Sequence, residues 1–461
     1  MTDTGLLKET LKAVLAAQGV DYADIYQEST TATSIQIEDS KVEKLTQGTD
    51  GGAGLRAISG GKTSYAYTNE LTKAAFGEMA AALKTALKTK ETAAEFDLTR
   101  KVPLVDYRIK IDPAGVPLEK KVQILKAAER AARGFHKSIR QVSVIYRESL
   151  QKVKIASSDG FLAEDERMQS IFIVNVIAME NGIVQTGYEP EGGFLGFELF
   201  EEIDADEVAL KAARKAVMML KARRAPGGRM PVVISSQAGG TMIHEAVGHG
   251  LEADLAQQGL SVYAGKLGQK IASDAVSVLD DSTIPGKRGS FRFDDEGTPA
   301  QKTVLIKDGI LMNFMYDRLS AMKAGALSTG NGRRQSYRHK PIPRMTNTMI
   351  APGSTPAEEV LKNTPRGLFV KKMGGGQVNT LTGDFVFDVQ EGYLIEDGQV
   401  GEPVRGATLA GNGPRVLMDI DMVGRDIGFS IGTCGKDGQG VPVSDAQPTI
   451  RVPELVVGGE S

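Results

Sequence analysis

The chain has 461 residues, a net charge of −3 and an apolar fraction of 41%. That length and apolar content suffice for two or three packed domains, and a slightly acidic balance without clustered Lys and Arg argues against a nucleic-acid or anionic-membrane partner. The 53 glycines, the absence of Trp and the sparse aromatics point to many tight turns rather than an aromatic binding platform.

Leu6, Leu7, Leu11, Val14 and Leu15 share a helical face, so 5–18 reads as an amphipathic helix and not as a secretory signal. Short strands with glycine turns follow over 22–68: DIYQEST, TSIQIED, GLRAI and TSYAYT. SGGKTS at 59–64 resembles a phosphate loop, but Arg56 stands where that motif needs Gly, and a strand follows, not a helix; it reads as a turn. Helices are expected near 70–88 and 117–134, then strands near 140–157 and 168–188 forming a hairpin at Asn181-Gly182, then a helix near 204–223. The apolar run IFIVNVIAM is too short for a membrane span.

ARRAPGGRMP at 222–231 combines Pro, two Gly and three Arg and reads as a domain boundary. PVVISS is a strand, and a helix is expected over 240–257. Beyond it strands dominate, with hairpin turns at KDG (307–309) and EDG (396–398). The expected fold class is α+β: an N-terminal mixed α/β domain over 1–222 and a β-rich C-terminal catalytic domain over 223–461 that carries the 240–257 helix.

That helix contains GGTMIHEAVGHGLEAD, with two of the four histidines, His244 and His249, and Glu245 after the first. Zinc peptidases use H-E-x-x-H; here the spacing is H-E-x-x-x-H. On an ideal α-helix residues five apart point about 140° apart, too far to grip one ion. A π-bulge, with i→i+5 bonding, brings them to one side. Gly248 and Gly250 flank His249 and lower the cost of leaving α geometry, so a distorted turn is expected at about 246–250. Two histidines could equally be satisfied by hydrogen bonds alone. Their pairing around a Glu favours a metal site, in which a zinc ion would activate water and Glu245 would take its proton.

A third ligand is needed. Glu252, three residues past His249, is one candidate. Cys434, the single cysteine, is the other, in the polar glycine-rich stretch IGTCGKDGQGVPVS, which reads as a loop. A lone thiol makes no internal disulfide, which places the chain in a reducing compartment, the cytoplasm.

HEAVGHGLEAD, CGKDGQGVPVS, RMTNT at 344–348 and DSKVEKLTQGTDGGAGLRA together resemble the TldD branch of the TldD/PmbA (TldE) metalloprotease family, over nearly the whole chain. The resemblance implies a zinc (Zn2+) metallopeptidase that cuts short or unfolded peptides. It implies His244, His249 and Cys434 as metal ligands and Glu245 as catalytic base. It also implies a dimer, either with a TldE/PmbA-type sister subunit or with a second copy. A thiolate ligand makes zinc a weaker Lewis acid, which makes Glu245 more necessary. The alternative is a non-catalytic interaction subunit with a closed, structural zinc, for which a fourth protein ligand such as Glu252 would be required.

SYRHKPIPRMTNTMI at 336–350 is, on the same resemblance, a cleft wall. Tyr337 and His339 are candidates for stabilising the oxyanion, and Arg338 and Arg344 for holding substrate carboxylate or carbonyls. GGGQVNTLTGDFVFDV at 374–389 offers a strand edge that could receive a peptide as an added strand.

Overall fold

The computed structural model describes residues 1–17, 19–87 and 95–459. The fold is mixed α/β. In the N-terminal half a seven-stranded sheet is built on very long antiparallel strands, ordered Lys62–Thr68, Lys41–Ser59, Tyr22–Glu38, Ile139–Ser157, Phe161–Glu180 and Thr99–Arg100, with Ile183–Gly193 also paired to Phe161–Glu180. The short strands expected over 22–68 are thus fewer and longer. DIYQEST and TSIQIED are one continuous strand, and GLRAI is the end of a 19-residue one. The polar residues 41–50 gave no apolar alternation to read, and they are held in the sheet by ladder pairing alone.

Helices Thr4–Leu15, Lys73–Leu87, Leu118–Gly134 and Ala205–Lys221 match the expected ones within a few residues; residue 88 of the second lies outside the described residues. They cover one face of the sheet. Ala23 and Ile25, one pleat face, meet Leu7, Leu11 and Phe76. Further along the same strand, Ile35 and Ile37 meet the layer of Leu125, Ala128, Ala209 and Ala212. Asn181-Gly182 does form a two-residue turn with both φ positive, but it joins Phe161–Glu180 to Ile183–Gly193. The strand expected at 168–188 is therefore cut there, and the 139–157 strand turns at 158–160 instead.

The opposite pleat face, Tyr22, Asp24, Tyr26 and Glu28, packs on the C-terminal half. Arg56 carries this seam. It is buried, its Nε donates to Asp24 Oδ2 at 2.9 Å, and its Nη1 reaches Glu296 Oε1 at 2.6 Å.

The C-terminal half holds a six-stranded and an eight-stranded sheet. In the first, Lys302–Lys307, Val278–Asp281, Asn347–Ile350, Gln439–Gln447 and Gly428–Lys436 lie side by side, with Gly428–Lys436 at the edge. In the second, five strands close into a ring because Arg366–Val378 pairs with Asp384–Glu396. KDG and EDG are hairpin turns as expected, with Asp308, Gly309, Asp397 and Gly398 at positive φ. The segment from Thr241 to Gln257 lies between the sheets, with Met242, Ile243, Val247 and Leu251 in the main core. No described helix is long and apolar enough to cross a membrane.

Replacing Arg56 by Met leaves Asp24 and Glu296 buried without their cation. We expect a loss of about 3–5 kcal/mol in unfolding free energy, measured by denaturant titration, with the seam melting first if the halves uncouple.

Candidate metal centre

The expected distortion is present. Thr241–Ile243 is α-helical, His244–Gly248 is a π turn, and His249–Leu251 is a 3-10 turn. The N–H of His249 donates to the carbonyl of His244, the i→i+5 bond that defines the wide turn. Glu252 is then extended and breaks the single helix expected to 257; a short helix, Ala253–Gln257, follows. Gly248 is required by packing as well as by winding: a Cβ there would lie 2.0 Å from Met345 Sδ, beneath the turn.

The wide turn puts the two imidazoles on one side, with ring centroids 5.0 Å apart. Cys434 faces them, its Sγ 3.5 Å from His249 Nε2. One donor atom from each of His244, His249 and Cys434 lies within 4.8 Å of the others, and all three residues are largely buried. The stretch around Cys434 is not a loop. It is a β-hairpin, Gly428–Lys436 with Gln439–Gln447, turned by Asp437 and Gly438 at positive φ. Its glycines and polar residues masked the strand pattern, and main-chain pairing supplies what apolar alternation does not.

Each histidine is oriented from behind by a carboxylate. Asp445, on the second strand of the hairpin, lies 2.8 Å from His244 Nδ1. Glu252 lies 3.1 Å from His249 Nδ1. Glu252 therefore lies behind the His249 ring, on the nitrogen that points away from Cys434. Lys436 Nζ at 3.2 Å and Arg344 Nε at 3.8 Å surround it. Burial alone would raise the Glu252 carboxyl, but Lys436, His249 and Arg344 outweigh it and bring it down to about 2. Burial also opposes the Cys434 thiolate, yet the hydrogen bonds of both histidines bring its pKa down to about 6. Burial works against protonated His249, but Glu252 and Cys434 prevail and raise it to about 10. His244 is likewise raised against burial, chiefly by Asp445. The carboxylates behind the rings thus favour the imidazolium form of both histidines, and the histidines in turn favour the ionised thiol.

Two imidazoles and one thiol at this spacing, with carboxylates fixing the rings, fit a zinc position with three protein ligands. Glu245 is half-buried and lines a cavity of about 300 Å³ together with His244, Asp445, Gly374, Gly375 and Thr433.

The 336–350 residues fall elsewhere. Tyr337 is buried against the N-terminal sheet, its N–H donating to Glu28 at 3.1 Å and its hydroxyl 3.5 Å from Asp50. Arg338 is bound to Asp50 at 2.6 and 3.0 Å. His339 Nδ1 lies 3.0 Å from Ser336 Oγ. Arg344 is fully buried, donating to the carbonyls of Cys434 and of Gln439, so it props the Cys434 strand and does not meet solvent. No hydrogen bond or ion pair among the described residues links Tyr337, Arg338 or His339 to the three donors. Of this segment, Arg344 and Met345 are the residues that meet the site, Arg344 by holding the Cys434 strand and facing Glu252, Met345 by packing beneath the wide turn. Asp445 is the contributor that went unread: SDAQ has no local signature, and only the hairpin brings it under His244.

Models of the three PmbA/TldA metallopeptidase domains match residues 23–89 (domain 1), 111–220 (central domain) and 227–459 (C-terminal domain). A Haemophilus influenzae metalloprotease TldD homolog is 37% identical, covering 100% of this chain and 98% of the relative. A Saccharolobus solfataricus zinc metalloprotease TldD homolog is 28% identical over 96% of this chain and 97% of its own. The crystal structure of TldE from Thermococcus kodakarensis shares the fold, with a TM-score of 0.76 at 19% identity and 99% of each chain covered. The chain belongs to the PmbA/TldA metallopeptidase family, a class of metal-dependent peptide hydrolases.

A bound metal requires both imidazoles neutral and the thiol ionised. Below about 6 Cys434 is protonated, and below about 10 His249 holds its proton. Metal affinity therefore rises with pH through this window, with proton release from the histidines, as chelator competition in differently buffered solutions will show. Glu252→Gln removes the group that orients His249, and the same assay should show affinity reduced by about 10–100-fold.

Proposed function

We propose that the chain is a zinc-dependent metallopeptidase hydrolysing peptide bonds in short or unfolded peptides, in the cytoplasm, with His244, His249 and Cys434 as ligands and Glu245 as general base. In this reading the catalytic unit is 223–461, and 1–222 packs against it as a separate N-terminal domain. The observation that carries it is the gathering of three donors within 4.8 Å beside an accessible carboxylate.

When bound, zinc supplies a Lewis acid that brings water toward ionisation at neutral pH. Glu245 accepts the proton of the attacking water and delivers it to the leaving amine. Asp445 and Glu252 hold the imidazoles in the tautomer that presents their other nitrogen to the ion. Glu252 meets His249 on the nitrogen away from Cys434, so it would not serve as the fourth protein ligand that the closed, structural alternative requires.

The cavity beside Glu245 lies between two strand edges. Beyond Val370 the strand Arg366–Val378 has no ladder partner on its second side among the described residues, and Gly428–Lys436 is an edge strand. An extended peptide laid between them is read through its main chain, which suits unfolded substrates of varied sequence. In this reading the chain pairs with a TldE/PmbA-type sister subunit, whose fold it shares, with a homodimer as the second arrangement.

Elemental analysis should find about one zinc per chain, sharply reduced in Cys434→Ser. Glu245→Gln should keep its zinc and lose about 10²–10⁴-fold in peptide hydrolysis. Full activity in that variant removes Glu245 as base, and zinc retained in Cys434→Ser removes the ligand set.

A further inference from the structure

A cavity of about 240 Å³ lies on the seam between the N-terminal sheet and the C-terminal half. Four guanidiniums line it: Arg167, Arg288, Arg333 and Arg334. Two of them have anionic company. Arg167 meets Asp165 at 3.1 Å and Asp295 at 2.6 Å. Arg334 lies 3.9 Å from Asp24 and donates to the carbonyl of Asp295 at 2.9 Å.

Arg288 and Arg333 differ. Arg333 donates to the carbonyls of Met345 at 2.6 Å and Pro442 at 2.7 Å. Arg288 donates to the carbonyl of Gly432 at 3.1 Å and to Gln169 at 3.2 Å. No described carboxylate comes within ion-pair distance of either, and Arg333 feels Asp295 and Asp280 only from farther off. Glu28, the other acid in the wall, is engaged by Tyr26, Thr30 and the Tyr337 N–H, and by no arginine. Burial draws both guanidiniums down to about 10, far below their usual range. A guanidinium keeps its proton in proteins and a buried one is costly without a counter-charge. Ser149 adds a hydroxyl to the same walls, while Thr30 and Ser290 give theirs to Glu28 and to the carbonyl of Ile284.

We infer that this cavity is a binding site for a small oxyanion, a free phosphate or the carboxylate of a peptide chain end, held between Arg288 and Arg333. Fork-shaped donors suit a planar or tetrahedral oxyanion, and the volume is too small for a nucleotide. The position gives the anion a structural consequence. The Arg288 N–H donates to Ser444 at 3.0 Å, and its guanidinium holds Gly432, so it grips both strands of the hairpin that presents Cys434 and Asp445. An anion there ties the N-terminal sheet to that hairpin through Arg288.

Calorimetric titration of the full chain at fixed ionic strength tests this with three probes: inorganic phosphate, an N-acetylated tripeptide with a free carboxyl end, and its amide. We expect saturable one-to-one binding of phosphate or of the acid peptide but not of the amide. It should weaken about tenfold or more in Arg288→Gln and in Arg333→Gln and persist in Cys434→Ser. Arg288 is only partly buried, whereas Arg333 is buried, so the Arg288 variant decides if Arg333→Gln fails to fold. Phosphate binding identifies a free anion, and binding of the acid peptide alone identifies a chain end. Absence of saturable binding by either, binding unchanged in the arginine variants, or binding lost in Cys434→Ser overturns the inference.

Discussion

Two histidines five residues apart on one helix face the same side only where the helix is wound wide. Everything at the centre of this molecule depends on that turn. A π turn is uncommon because its hydrogen bonds are poorly arranged and its axis is loosely packed, so the surroundings must hold it. Met345 presses beneath Gly248 where a side chain would not fit, and Tyr263 donates its hydroxyl to the carbonyl of Ala246 at 3.0 Å. Met242, Val247 and Leu251 anchor the flanks in the main core. Rigid walls turn an unfavourable local conformation into the only one available.

The second layer of the centre is electrostatic. Three positive groups, His249, Lys436 and Arg344, enclose Glu252, while Lys436 also reaches Asp254 at 2.7 Å. The carboxylate is fully buried, and a lone buried charge would be untenable; here it is the hub that orients His249, the Cys434 strand and the start of helix Ala253–Gln257 together. The same logic recurs at the seam, where Arg56 is bound by Asp24 from one half and Glu296 from the other. Charge pairs in dry surroundings set register more sharply than apolar contact does, because a displaced partner leaves an unpaired charge.

Much of the site was legible in the chain. His244 and His249 flank Glu245 at a spacing that has one geometric remedy, and Gly248 marks where it falls. The helices were legible because their apolar positions recur at helical spacing, as in Leu7, Leu11 and Val14. The strands were read less well. Residues 41–50 and 428–436 are polar or glycine-rich, and sheet pairing, which is long-range, carries them. For the same reason the stretch around Cys434 reads as a loop in the sequence, and only the fold sets Glu252 behind the His249 ring.

By itself the sequence determined the donor types, the wide turn and the helical layer, because each rests on residues within a few positions of one another. Only the tertiary structure decided which atoms meet. Asp445 reaches His244 across 201 positions, Cys434 reaches His249 across 185, and Tyr337 turns away to meet Glu28 across 309. Such contacts are set by the register of paired strands, where a shift of one residue moves every side chain to the opposite face.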